Sequence, residues 1–189
     1  MAASDQNPSS ATPASATASG RNLYLPAEEL RARLVEEINR AGRHGTPLSC
    51  LIVTIGNLDE LSREHGPELS EQTFAYAARA LADQVRDFDR IGQPQEGELL
   101  LILPGADGPR GEIVARRALE RLRTIKVEAD GTRRPLRISV GLAAWAEEQD
   151  VEELLEQARA AARRGNGNEA PSSLASASPP VLGRPHRPA

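Results

Sequence analysis

A polar turn that carries two carboxylates is the part of this sequence best suited to chemistry. Glu96 and Glu98 flank Gly97 within residues 90–104, between two short apolar runs. The second run, residues 99–103, is continuously apolar and ends in Pro-Gly, which is typical of a buried strand. The pattern predicts a β-hairpin whose tip could carry chemistry. The ordinary alternative is a solvated turn with one exposed strand residue, which is usual for charged residues in a polar loop.

An arginine and an aspartate lie three residues apart just before this hairpin. The arginine fork of Arg86 could bind a phosphate, and the carboxylate of Asp89 could accept hydrogen bonds. Arg116 and Arg117, on the next predicted helix, could supply a further cation. The other interpretation is that Arg86 is a charge at a helix end and Asp89 a turn-forming acid.

Helices and strands that position these groups are predicted in alternation. Apolar residues recur at helical spacing in four segments: Pro26 to Gly42, Pro67 to Phe88, residues 114–125 and residues 151–161. Residues 48–55 and 136–142 predict strands, Asp130-Gly131 predicts a tight hairpin, and Asp150 is expected to cap the last helix. This order predicts an α+β sandwich of the ferredoxin-like kind, with a mixed, mainly antiparallel sheet and flanking helices.

Composition favours one domain between two tails in this chain of 189 residues. Residues 1–21 and 168–189 are rich in Ala, Ser and Pro, so we expect both to be disordered and the domain to span residues 22–167. With no apolar run of membrane-spanning length and no signal-like segment, we expect a cytoplasmic protein without membrane contact. The balance of 23 basic and 27 acidic residues argues against nucleic acid as a partner. Cys50, the single cysteine, excludes an internal disulfide and is expected to be buried.

The order and spacing of these segments resemble the GGDEF domain family, the diguanylate cyclases, over about residues 23–168. Residues 95–99, Gln-Glu-Gly-Glu-Leu, stand where that family has Gly-Gly-Asp/Glu-Glu-Phe. Residues 46–53 resemble the first strand of the family, residues 138–143 its Ser-x-Gly-x-Ala strand, and residues 153–158 its last helix. Together these matches identify the chain as a degenerate member of the family.

The resemblance implies a chemistry whose metal ligands this chain lacks. The family joins two GTP molecules with the help of two Mg²⁺ ions, and such hard cations take oxygen ligands, chiefly carboxylates. The two carboxylate positions of the family fall on Thr54 and Gly97, so we expect neither a metal site nor a cofactor, and Mg²⁺ only if the domain is an active cyclase. Glu98 remains at the fourth motif position as a vestigial catalytic residue. A shift of register would bring Glu96 or Glu98 to the metal position, with Asp59 as a distant second ligand, but would leave Thr54 unexplained.

Other positions that the family uses for GTP also differ in this chain. The two motif glycines, which let the backbone approach the phosphates, are Gln95 and Glu96, and a carboxylate there would repel a triphosphate. The guanine-binding Asn and Asp of the family fall on Ser62 and Glu71 as vestigial guanine positions. These differences also predict an inactive catalytic site.

Arg86 and Asp89 resemble the Arg-x-x-Asp inhibitory site of the family for cyclic di-GMP, with Arg116 or Arg117 beside it. We therefore predict a catalytically inactive GGDEF domain that acts as a regulatory or cyclic di-GMP-sensing signalling module. One alternative is an active diguanylate cyclase with divergent metal ligands, and another is a protein docking module that binds no nucleotide. The ligands implied are cyclic di-GMP or GTP, and a protein partner or a homodimer stays open.

Overall fold

The structure is a computed structural model that describes residues 24–166 and 172–177. Its helices are α1 Ala27–His44, α2 Leu58–His65, α3 Pro67–Ala82, α4 Gly108–Arg123 and α5 Val151–Asn166. Its strands are β1 Tyr24–Leu25, β2 Leu48–Ile55, β3 Arg90–Gln95, β4 Glu98–Pro104, β5 Lys126–Ala129, β6 Thr132–Pro135, β7 Ile138–Ala144 and β8 Ser172–Ala177. No helix within the described part of the chain is long and apolar enough to cross a membrane.

Six of the strands form one sheet in the order β1, β3, β4, β2, β7, β8. The four inner strands pair antiparallel, while β1 and β8 add to the two edges in parallel. Strands β5 and β6 form a separate antiparallel hairpin. The predicted α+β fold with a mainly antiparallel sheet and flanking helices is confirmed.

Alternating residues of the inner strands separate two apolar cores. Leu51 and Leu101 pack on one face of the sheet with side chains of helices α2, α3 and α4. Ile52 and Leu100 point to the other face and pack against helices α1 and α5. Because both faces are covered, these strands read in the sequence as continuous apolar runs. Cys50 lies in the second core as expected, and burial raises the pKa of its thiol to about 12.

Local signals account for where several elements begin and end. Helix α1 follows Pro26 and ends at Gly45, whose φ of 61° lies in the left-handed region. Helix α5 begins with a reciprocal cap: Glu153 N donates to Asp150 Oδ1 (2.9 Å), and Asp150 N donates to Glu153 Oε2 (3.2 Å). The predicted cap at Asp150 is confirmed. The Asp130-Gly131 turn joins β5 to β6 as predicted, with positive φ at both residues.

Two sequence predictions about the elements need correction, and one helix was not predicted. Helix α3 ends at Ala82 rather than near Phe88, because the chain turns between them, and the Phe88 side chain is half exposed. Helix α2 was not predicted, since its eight residues contain few apolar positions. The tail predicted to be disordered from residue 168 is wrong for Ser172–Ala177, which pairs with β7. Backbone groups make that pairing, so it does not need large side chains. Residues 1–23, 167–171 and 178–189, which include the rest of both predicted tails, lie outside the described residues.

Helix α5 packs closely against the sheet at Gly141 of strand β7. A Cβ atom at Gly141 would lie 2.0 Å from the carbonyl oxygen of Ala158 and 2.3 Å from the backbone nitrogen of Ala162. Since both atoms belong to the helix backbone, a side chain could be accommodated only by moving α5 away from the sheet.

We expect Gly141→Ala to lower the free energy of unfolding by about 1–3 kcal/mol, because overpacking a filled interface displaces its neighbours. Urea denaturation followed by circular dichroism measures the change. Gly108→Ala is the matched control, since no atom lies within 4 Å of a Cβ placed there. Equal midpoints for the two variants would show that the helix and sheet are not packed this closely.

Candidate functional site

The β3–β4 hairpin presents the carboxylates from which the sequence analysis began. Gln95 pairs with Glu98, which leaves Glu96 and Gly97 as the two turn residues. Gly97 has a φ of 71°, a conformation that residues with a side chain adopt at a cost. The predicted hairpin is confirmed, and its turn geometry favours glycine at the position where the family has a metal-binding carboxylate. Glu96 is exposed at the tip.

Thr54 lies at the end of strand β2, directly beside Glu98 of β4 and Ser139 of β7. Their positions along the strands place all three residues on the sheet face that helices α1 and α5 cover. Thr54 and Ser139 offer neutral hydroxyl groups, so Glu98 supplies the only negative side chain of this three-residue row.

Glu98 is buried, with 3 % of its surface exposed, and an arginine of helix α5 neutralises it. Arg159 Nε donates to Oε1 and Oε2 of Glu98 at 3.2 and 3.1 Å, and Arg159 Nη2 donates to Oε1 at 2.9 Å. Gln95 Nε2 donates to Oε2 at 3.0 Å. The hydrogen bonds and charge of Glu98 raise the pKa of the Arg159 guanidinium, although burial of the guanidinium opposes that shift.

This ion pair corrects one interpretation from the sequence and adds a residue to the site. Glu98 is not the exposed strand residue of a solvated turn, because both its oxygens accept hydrogen bonds inside the fold. Arg159 was not singled out in the sequence, since it lies 61 positions away in a helix whose other charged residues are mostly exposed. A carboxylate held by an arginine in this way is a poor ligand for a cation.

A shift in the register of the hairpin motif would use Asp59 as a distant second metal ligand. Asp59 is exposed in the first turn of helix α2. Among residues 24–166 and 172–177, no group of three or more His, Cys, Asp or Glu side chains is placed to hold a metal ion.

The vestigial guanine positions lie on two neighbouring helices. Ser62 is half buried on α2 and Glu71 is exposed on α3, and the chain turns between these helices at Gly66, with a φ of 92°. The backbone carbonyl of Ser62 accepts the Gly66 N–H at 3.0 Å. Ser62 and Glu71 thus lie on adjacent helices that this turn joins.

Helix α2 is tied to the strands by ion pairs that the sequence analysis did not predict. Arg137 Nη2 donates to Glu60 Oε2 at 2.7 Å, and Arg134 Nη1 donates to Glu64 Oε2 at 2.5 Å. Asn57, just before the helix, donates to the carbonyl of Pro135 at 3.2 Å and accepts from Arg137 N at 3.0 Å. These contacts position α2 beside the β5–β6 hairpin.

Arg86 and Asp89 are close together, but they play different parts. Asp89 is buried, and its Oδ2 accepts a hydrogen bond from the Arg86 backbone N–H at 2.8 Å, which closes the turn before β3. Burial raises the pKa of the Asp89 carboxyl, and the hydrogen bond and charge of Arg86, with the charge of Arg90, oppose that shift. The Arg86 side chain is exposed, and its guanidinium carbon lies 6.0 Å from the centre of the Phe88 ring.

Arg116 and Arg117 are exposed on helix α4. In the described part of the chain, no hydrogen bond or ion pair joins either of them to Arg86 or Asp89. The structure thus brings Arg86 and Asp89 together as a turn, while the two helix arginines are exposed and make no hydrogen bond or ion pair with that turn among the described residues.

Comparison with protein families places this fold and hairpin in a known class. Residues 28–169 match the family described as diguanylate cyclase, GGDEF domain. The chain therefore belongs to the GGDEF domain family.

Individual relatives agree with this assignment. Diguanylate cyclase DosC of Escherichia coli strain K12 is 29 % identical over 121 residues, which cover 64 % of this chain and 26 % of DosC. The chain thus matches about a quarter of the length of that curated relative.

Solved structures share the fold at lower sequence identity. The crystal structure of diguanylate cyclase SiaD in complex with its activator SiaC, from Pseudomonas aeruginosa, has a TM-score of 0.74 and 22 % identity, covering 80 % of this chain and 58 % of SiaD. The GGDEF domain of DgcB from Caulobacter crescentus, in complex with c-di-GMP, has a TM-score of 0.74 and 15 % identity, covering 88 % and 98 % of the two chains.

Proposed function

We propose that this chain is a catalytically silent GGDEF domain that acts as a regulatory module in signalling. The observation that carries the proposal is the ion pair between Glu98 and Arg159 beside Thr54. At the place where the family needs free carboxylates for Mg²⁺, this chain has a neutralised carboxylate and a hydroxyl group.

The turn residues support the same conclusion. Phosphoryl transfer between two triphosphates depends on cations that neutralise the developing charge. Gly97 adds no ligand side chain, and the exposed carboxylate of Glu96 adds negative charge where a triphosphate would lie. Both differences are expected to weaken the binding of GTP in complex with Mg²⁺.

The binding of GTP with and without Mg²⁺ tests this proposal by isothermal titration calorimetry. We expect the affinity for GTP to be the same in 5 mM MgCl₂ as in EDTA, because no anionic side-chain cluster in the described residues can hold the ion between protein and phosphates. An affinity that rises tenfold or more with Mg²⁺ would contradict the proposal.

The nucleotide that the regulatory module binds is proposed to be cyclic di-GMP, with Arg86 as the principal contact. The Arg86 guanidinium is exposed beside the half-exposed Phe88 ring, so it offers a charged fork next to an aromatic surface. Asp89 shapes the turn that presents Arg86, and Arg116 or Arg117 would add a second cation. DgcB, which shares the fold, was crystallised with c-di-GMP.

We expect Arg86→Ala to weaken the binding of cyclic di-GMP roughly ten- to a hundredfold, because a charge-assisted contact contributes about 1.5–3 kcal/mol. Calorimetry of the wild type and the variant measures the change. Arg79→Ala is the control, since Arg79 is an exposed arginine at the end of α3. Equal affinity in all three proteins would place the ligand elsewhere, and no heat from the wild type at high micromolar ligand would leave a protein partner as the better interpretation.

A further inference from the structure

A groove of about 590 Å³ lies between helix α3, the end of helix α4 and the β5–β6 hairpin. We call it the α3–β5 groove. Its apolar lining includes Leu69, Ile125 and Val127, and the half-exposed ring of Tyr76 stands at its rim. The proposed catalytic and nucleotide-binding residues do not line this groove.

Strand β5 lines the groove with three consecutive residues, 126–128, and has an unpaired outer edge. The two-residue turn makes Ala129 and Thr132 a hydrogen-bonded pair, so the bonding alternates along the hairpin. The N–H and C=O groups of Lys126 and Glu128 therefore point away from β6. No backbone hydrogen bond from elsewhere in the described residues reaches them.

The charge around the groove is mainly positive. Arg121 and Lys126 form no ion pair within the described residues, and Arg133 is paired only with Glu128, at 3.4 Å and with both side chains largely exposed. Exposed pairs of this kind contribute little, so the three cations stay available to an anionic partner.

We propose that the α3–β5 groove binds an extended segment of a partner protein in which acidic and apolar residues alternate. The segment adds a strand to the outer edge of β5 through the backbone groups of Lys126 and Glu128. Because side chains alternate along a strand, one set of the segment's residues packs on the apolar lining and the other set faces Arg121, Lys126 and Arg133.

This surface is separate from the site where the family binds its substrate. Glu71, the vestigial guanine position, lies two residues from Leu69 and from Thr73, which both line the groove. Residues two apart in a helix point in nearly opposite directions, so Glu71 faces away from the groove. The proposal assigns a class of partner to the proposed regulatory module and rests on that role. Detection of cyclase activity would contradict the proposed regulatory role but would not change peptide binding. Absence of peptide binding would contradict the groove proposal but would not affect the proposal that the domain is catalytically silent.

Nuclear magnetic resonance of the full chain labelled with ¹⁵N tests the proposal. The probe is a capped eight-residue peptide in which Glu and Val alternate. We expect the amide signals of Lys126 and Glu128 to shift on titration and their hydrogen exchange to slow at least about tenfold, because a paired strand protects these groups. Two control peptides are used. One carries the same residues with Glu and Val in separate blocks, and the other keeps the alternation but has Lys in place of Glu.

Variants of the protein separate charge from general effects. Arg121→Glu together with Lys126→Glu should weaken peptide binding at least about tenfold, since like charges then face each other. Arg43→Glu with Arg164→Glu makes the same charge change on α1 and α5, across the sheet, and should leave binding unchanged.

Three results would each overturn the proposal. They are no shift of Lys126 and Glu128 at millimolar peptide, equal binding of a control peptide, and equal weakening by the two double variants. Shifts of these amides with cyclic di-GMP instead of the peptide would make the groove a nucleotide site and would also refute it.

Discussion

Arg159→Ala is expected to lower the free energy of unfolding by about 3–5 kcal/mol, because it leaves the buried carboxylate of Glu98 without its counter-ion. Gln95 alone would then hydrogen-bond a charge of which only 3 % is exposed. Urea denaturation at pH 7 measures the change. In this domain the former motif glutamate would thus serve stability rather than catalysis.

Two further variants make that result specific to the buried pair. Arg163→Ala removes an ion pair with Glu156 from the same helix, and since both side chains are largely exposed we expect a loss below about 1 kcal/mol. Replacing both partners, Glu98→Leu with Arg159→Met, should restore most of the stability, because no unpaired charge then stays buried. If Arg159→Ala were no worse than Arg163→Ala, Glu98 would be solvated and free to bind other groups.

Local patterns in the sequence predicted the parts of this fold that depend on neighbouring residues. Three local signals act within a few positions of the chain, so the sequence alone predicts their structural effect. They are Pro94 and Gly97 of the hairpin, the capping Asp150 and the Asp130-Gly131 turn. The resemblance to the family also located Thr54 correctly at the end of β2, where it lies beside Glu98.

The parts that could not be predicted depend on contacts between distant segments. Arg159 meets Glu98 across 61 positions of sequence, where helix α5 packs on the sheet, and the same helix lies close to the sheet at Gly141. An aspartate at position 89 could either face a ligand or close a turn, and the sequence does not distinguish the two roles. Its burial and its hydrogen bond from the Arg86 backbone show that it closes the turn. Strand β8 has small residues without apolar alternation, so the pairing of its backbone with β7 left no signal in the sequence.

Catalysis should be lost to a degree that a simple assay detects. Removing one group that stabilises charge in a transition state typically costs roughly 10²–10³ in kcat. Thr54 and Gly97 stand where the resemblance to the family implies two anionic ligands, and Glu98 is held by Arg159. We therefore expect turnover of GTP to fall below detection with either Mg²⁺ or Mn²⁺.

The formation of cyclic di-GMP from GTP is the measurement that tests catalytic silence most directly. The purified full chain is incubated with GTP and Mg²⁺ or Mn²⁺, beside an active GGDEF domain with an intact motif as positive control, and the products are separated by chromatography. We predict no cyclic di-GMP above the blank without enzyme. Product that depends on the metal ion and is abolished by Glu98→Gln, in a variant shown by circular dichroism to be folded, would show that the domain is an active cyclase with divergent ligands.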